Sequence, residues 1–336
     1  MPRKGRHPLK EKSIEEKQIV PKKVTLTTIV FIPSLTGYWQ YSFEVLKLFF
    51  QSLIENTKSE FDLMVFDNGS CKKIIKYLNK MKERGFIQYL ILSDKNYRKL
   101  GALDYLLRSA PGQYISYADS DVFFLPNWLN ESIRVLETFS KAAKVTALPI
   151  VGGDTTIISN KFYQEALKDK EINVSTGDIV EKEFIRSHSM SIGKSLSEFI
   201  LPDRKDILLK KDHTQAFLST ADFQFTIKKE AVLDILPLVI SKDNHYYDPI
   251  YSPVLEHKLD EDGWWQLSTR GYHIHHMGNN VPDFENELPW MQSEFPTQIP
   301  NYALKRKNKN NTKIKSTRIR RLLKKINLWS YRKLYE

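Results

Sequence analysis

Cysteine is all but absent from the 336 residues: Cys71 is the only one. That excludes a disulfide framework within the chain and any zinc site built on cysteine thiolates, and it fits a reducing compartment. Long apolar runs are missing as well. No stretch approaches the roughly 20 uninterrupted apolar residues needed to cross a bilayer, and residues 1–16 are polar and charged, without the apolar region of a secretory signal. The expectation is a cytoplasmic protein whose membrane contact is at most peripheral, at the inner face. Acidic residues are scarce at both ends. Residues 305–336 hold 13 Lys or Arg against one acid, and residues 1–23 hold 8 against 3. The net charge of +11 thus divides into +12 and +5 at the ends and −6 for residues 24–304. A core that gripped nucleic acid would carry its own basic face, so a mildly acidic one argues against that partner.

Apolar material is ample. Hydrophobic residues at 41% and aromatics at 12% suit a sizeable core rather than a disordered chain. Residues 25–32 (TLTTIVFI) read as a buried strand ended by Pro33-Ser34. Residues 41–55 place Phe43, Leu46, Phe50, Leu53 and Ile54 at helical spacing. Residues 61–66 form a second strand, closed by the turn signal Asp67-Asn68-Gly69-Ser70. A helix over 72–84, a strand over 86–92 and a helix over 100–109 follow. A strand over 113–117 then runs into Asp119-Ser120-Asp121, before a helix over 127–139 and a strand over 143–149. This alternation predicts an α/β domain with a mostly parallel sheet flanked by helices, in which ligands bind beyond the carboxyl ends of the strands. The pattern loosens over 151–214, with a helix near 161–168 and a mixed stretch at 179–200. Regular structure resumes at 216–227, with helices over 228–236 and 253–262 and a strand pair over 264–267 and 272–276.

Asp119 and Asp121, one residue apart at a strand end, can share one hard cation and leave positions open for phosphate oxygens. The plainer alternative is a turn whose acids cap the next helix. Three segments in order resemble the nucleotide-binding half of family 2 glycosyltransferases of the GT-A fold. Phe66-Asp67-Asn68-Gly69-Ser70 is similar to that family's VDNGS strand end. Asn96-Tyr97-Arg98-Lys99-Leu100-Gly101-Ala102-Leu103-Asp104 is similar to its N-x-G-K-x-G-A-x-N segment, with Arg98 in place of a glycine and Asp104 in place of the last Asn. Residues 114–121 are similar to its strand and DxD.

The resemblance implies a Rossmann-like nucleotide-sugar-binding half over 24–150 and an acceptor half over 151–300, between a basic leader (1–23) and a basic tail (301–336). It implies metal-dependent transfer of a sugar from a nucleotide-sugar to a glycan, lipid-linked or other hydroxyl acceptor, with Mn²⁺ or Mg²⁺ as cofactor. Donor contacts fall on Pro33, Ser34, Asp67, Asn96, Arg98, Lys99, Asp119 and Ser120, and metal contacts on Asp119, Asp121 and a late histidine, His276. Strand alternation sets His273 and His275 on one face and His276 on the other, so His275 is not a co-ligand.

An inverting transfer needs a carboxylate to take the acceptor's proton. Asp222, Asp248, Glu256, Asp260 and Asp262 are the candidates. The family layout favours Asp248 as the base, with Glu256 as the alternative. Retention without a base, or an inactive GT-A domain acting as a binding protein, stays open. A sugar-phosphate nucleotidyltransferase would carry a glycine-rich phosphate loop after the first strand, and residues 32–37 (IPSLTG) do not. In the tail, Ile319, Leu322, Leu323, Ile326 and Trp329 recur at helical spacing among Arg318, Arg320, Arg321, Lys324 and Lys325. Such a helix can lie on an anionic membrane or pack its apolar stripe on the core.

Overall fold

The computed structural model describes residues 20–150, 160–196, 205–238 and 253–288, all within one unit, Met1–Trp290. Strand β1 (Val24–Val30) is central because it can be: VTLTTIV offers β-branched or apolar side chains to both faces, and nearly all are buried. β2 (Phe61–Asn68) and β4 (Tyr114–Asp119) flank it in parallel, and β3 (Tyr89–Ser93) extends the run beyond β2. The parallel strands are joined through α1 (Ser42–Asn56), α2 (Lys72–Glu83) and α3 (Arg98–Ser109). After β4 come the short strand β5 (Val122–Phe124), α4 (Trp128–Thr138) and β6 (Ala142–Thr146).

The second half feeds strands back into the same sheet. α5 (Asn160–Lys168), β7 (Asn173–Gly177), α6 (Lys182–Ser191), β8 (Asp206–Lys211), β9 (Thr214–Phe217) and β10 (Gln224–Lys228) lead to α7 (Lys229–Ile235). α8 (Val254–Glu261), β11 (Trp265–Thr269), β12 (Ile274–His276) and α9 (Phe284–Glu287) follow. The sheet order is β3-β2-β1-β4-β10-β6-β11-β9-β8-β7. β10 lies antiparallel between β4 and β6, while β11 runs parallel to β6. The sheet is therefore mixed, parallel on the β3–β4 side and largely antiparallel beyond it. The expected pairing of 264–267 with 272–276 does not occur. β11 enters the large sheet, and β12 pairs antiparallel with β5 in a separate ribbon.

Alternation along β4 assigns the two faces. Ile115 and Tyr117 point into a core cluster with Leu103, Leu106, Phe225, Leu255 and Leu259, which seats α3, α7 and α8. Tyr114 points the other way and hydrogen-bonds Glu137 of α4 at 3.2 Å. The buried β4 strand end is thereby fixed from both sides, and the residues after it emerge at the sheet's rim. No helix among the described residues is long and apolar enough to cross a membrane.

Candidate active site

Register brings the sequence's acidic strand ends together. Ile29 of β1 lies opposite Asp119 on one side and Phe66 on the other, and Val30 lies opposite Asp67. Asp67 and Asp119 thus flank the carboxyl end of β1, the rim where parallel sheets take ligands. The first loop is tied to the second turn. Ile32 N–H donates to Ser70 Oγ (3.0 Å), and Cys71 N–H donates to the Ile32 carbonyl (2.9 Å). Pro33, exposed, and Ser34, half-buried, stand just beyond this tie. Gly69, at φ +92°, makes the turn that an L side chain would strain.

Asp67 is fully buried. Its Oδ2 accepts from Ser70 N–H at 3.2 Å, while Oδ1 is buried with no hydrogen-bond partner among the described residues. Burial pushes its carboxyl pKa up, against the Ser70 hydrogen bonds. Asn68 and Asn96 interlock: Asn68 Nδ2 donates to Asn96 Oδ1 (3.0 Å), which also accepts from Arg98 N–H (2.7 Å), and Asn68 Oδ1 takes Tyr97 N–H (2.7 Å). These bonds shape the start of α3, and they set Arg98 at φ +58°. One residue further, Lys99 turns inward.

Lys99 Nζ lies 3.0 Å from Asp119 Oδ2 and 3.2 Å from Asp222 Oδ2. Burial works against its charge, but the two carboxylates outweigh it and raise its pKa. Asp222 arrives from the segment between β9 and β10, because β10 runs antiparallel beside β4 and Asp119 N–H bonds the Phe223 carbonyl at 2.8 Å. Its side chain is 70% exposed on the rim, with Oδ2 paired to Lys99. Tyr117 OH donates to Asp119 Oδ1. Asp119 is raised, by burial first and by Asp121 and Asp222 besides, with Lys99 opposing.

Asp121 faces another partner. Its Oδ2 lies 3.4 Å from His276 Nε2, since β12 pairs with β5 so that His276 opposes Val122, and Met277 N–H bonds the Asp121 carbonyl at 2.7 Å. Burial would raise the Asp121 carboxyl, but His276 and then Lys99 hold it below the usual range. His276 is raised: burial opposes its charge and Asp121 prevails. The Phe223 ring packs edge-on against His276 at 5.3 Å and stacks with His188 at 5.7 Å.

Of the expected metal set Asp119, Asp121 and His276, the structure sets Asp121 beside His276 and Asp119 beside Lys99 and Tyr117. Among the described residues no group of three or more His, Cys, Asp or Glu converges to hold a metal. Asp121 and His276 do fit a divalent cation. Asp121 Oδ2 and His276 Nε2 are the atoms that face each other, each residue's other side-chain polar atom is buried without a hydrogen-bond partner among the described residues, and a carboxylate with an imidazole suits Mn²⁺. A cation held by two protein donors would keep its other positions for phosphate oxygens and water. Lys99, expected to meet a phosphate directly, is engaged by the two carboxylates, and Ser120 lies half-buried between Asp119 and Asp121.

Asp248 lies outside the described residues. Glu256 is on α8, buried, and ion-paired with the buried Lys144, whose ammonium also sits 4.9 Å over the Phe225 ring. That pair occupies the layer between the sheet and α8. His275 turns away from His276, as alternation requires, and is fully buried.

No curated protein sequence matches the chain. Solved structures with partial likeness include the mannosyltransferase PcManGT from Pyrobaculum calidifontis in complex with GDP-Man and Mn²⁺ (16% identity, 39% of this chain and 36% of that one, TM-score 0.31). GalNAc-T7 with UDP, GalNAc and Mn²⁺ is another (13% identity, 79% and 46%, TM-score 0.46), as is S. aureus TarS in complex with UDP-GlcNAc (18% identity, 39% and 36%, TM-score 0.30). The chain spans less than half the length of each. A family model described as Glycosyl transferase family 2 matches residues 30–191. The match spans just under half of the chain, and it is to the family that the DNGS turn, the 96–104 segment and Asp119-Ser120-Asp121 resemble.

Proposed function

We propose that the protein moves a sugar from a nucleotide-sugar donor to a hydroxyl acceptor, with inversion at the anomeric carbon and with a divalent cation held by Asp121 and His276. The observation that carries this reading is the convergence of Asp67, Lys99, Asp119, Asp121, Asp222 and His276 on one rim of the sheet, at the ends of β1, β2 and β4. Asp67 receives the nucleoside, with Pro33, Ser34 and Asn96 around it. Arg98, at the exposed start of α3, contributes positive charge toward the diphosphate, and Lys99 holds Asp119 and Asp222 in place. The cation, when bound, neutralises the charge that builds on the departing diphosphate.

The rest is proton and bond bookkeeping. A carboxylate takes the proton from the acceptor hydroxyl, the hydroxyl oxygen bonds to the anomeric carbon, and the bond from that carbon to the phosphate oxygen breaks with its electrons on the nucleoside diphosphate. Asp248 keeps the base role, and the exposure of Asp222 makes it the second candidate. The acceptor remains a hydroxyl of a glycan, lipid-linked or other molecule.

One set of assays tests the reading. Asp121→Ala should abolish transfer and Mn²⁺-dependent donor binding while the far-UV circular dichroism stays unchanged. Asp248→Asn should lower kcat by a factor of about 10² to 10⁴ and spare donor affinity. The same result from Asp222→Asn, with Asp248→Asn silent, would transfer the base role. Full activity in EDTA would defeat the metal-dependent reading.

A further inference from the structure

Asp121 and His276 sit on different strands, so their separation depends on what holds β5 to β12. Three-residue strands make few ladder bonds, and a second support lies behind them. On the face of the ribbon opposite His276, His275 is clamped at both ring nitrogens: Nδ1 lies 2.9 Å from Tyr272 OH and Nε2 lies 2.9 Å from Glu287 Oε2. The tautomer that satisfies both has Nε2–H donating to the carboxylate and Nδ1 accepting from the phenol. The other Glu287 oxygen, Oε1, accepts from Asp283 N–H at 2.9 Å and closes the turn of α9. From the same helix, Phe284 packs on Phe123 of β5 with ring centroids 4.8 Å apart. One short helix therefore touches both strands, β5 through Phe284 and β12 through Glu287. α6 braces it: Phe184 packs on Tyr272 at 5.4 Å, and α6 also contacts β12 and α9.

We propose that this clasp sets the affinity for the divalent cation, with Glu287 a positioning residue acting through His275 on the β5–β12 ribbon that presents Asp121 and His276. The inference rests on the metal-dependent reading above. Outer supports of metal-binding side chains typically govern affinity by about 10- to 100-fold, and here the support is applied to the strand rather than to the ligand's own ring. Glu287→Gln keeps the shape but leaves one acceptor oxygen for two N–H donors.

The full chain is titrated with Mn²⁺ in the presence of UDP or GDP, with free Mn²⁺ followed by its EPR signal. Glu287→Gln and Phe284→Ala should each weaken Mn²⁺ binding about 10-fold or more. Nucleotide binding in EDTA should be unchanged, and transfer at saturating Mn²⁺ should recover, so that the metal's half-saturation rises while kcat holds. Tyr272→Phe, which deletes one hydroxyl and is the variant least disruptive to folding, should shift Mn²⁺ affinity the same way by a smaller factor. A lowered Tm with unchanged Mn²⁺ affinity in these variants would overturn the clasp. Absence of Mn²⁺ binding in the wild type would instead remove the reading beneath it.

Discussion

Arg98 occupies a backbone that favours glycine. At φ +58° an L side chain crowds the following carbonyl, and this is the position at which the family's segment carries glycine. The departure visible in the sequence therefore has a local cost, held in place by Asn96 Oδ1 on the Arg98 N–H and by Asn68 Nδ2 on its carbonyl. Removing the side chain in two ways isolates that cost. Arg98→Gly should be more stable than Arg98→Ala by about 1 kcal/mol, the reverse of the order that helix propensity gives elsewhere in a helix. Chemical denaturation of both variants measures it, and an alanine variant as stable as the glycine variant would refute the strain. At this scale the positions of the acids were legible, because Asp67 and Asp119 lie at the ends of apolar strands and Asp121 in the turn that follows β4. Asp222 had no comparable signal. It reaches Lys99 from 123 residues away, through the antiparallel insertion of β10.

At the scale of elements, apolar runs followed by turn signals made β1 to β4 readable: β1, β2 and β4 are largely buried, and β3, an exposed edge strand, still shows its Leu-Ile-Leu run. The hairpins β7–β8–β9 escaped, because strands with exposed or mixed burial patterns lack that run. β12 lies within the strand read over 272–276, but β5 was too short to show periodicity, and so the pairing that brings His276 to Asp121 was not visible. Helix α8 was legible, but the ion pair of Glu256 was not, because its partner Lys144 lies 112 residues away on β6. With side-chain exposures of 0% for Lys144 and 5% for Glu256, breaking the pair leaves a buried ammonium without a counter-charge. Glu256→Gln should cost about 3–5 kcal/mol, whereas Lys144→Met with Glu256→Leu should come close to neutral. Urea unfolding distinguishes them. A fully stable Glu256→Gln that nonetheless loses transfer would return Glu256 to the catalytic candidates.

For the whole molecule, the charge division bears on where the protein works. The sheet and its helices belong to a segment of net charge −6, while residues 305–336 carry +12, and those residues lie outside the described structure. Their apolar positions at helical spacing among cations support the proposal that the tail lies on an anionic lipid surface. Each Lys or Arg near such a surface contributes about 1 kcal/mol and is screened within a Debye length. Binding of the full chain to liposomes should therefore rise with phosphatidylserine or phosphatidylglycerol content and fall steeply with salt. Truncation before Lys305 should remove liposome binding, leave transfer to a soluble acceptor intact and leave the melting temperature unchanged. Packing of the stripe on the core predicts the opposite for the truncated protein, a lower melting temperature and aggregation through newly exposed apolar surface. Co-sedimentation and thermal melts on both forms separate the two outcomes. A full-length protein that stays in the supernatant with anionic liposomes at low salt would end the membrane proposal. Loss of transfer on truncation would assign the tail to the acceptor side of the reaction instead.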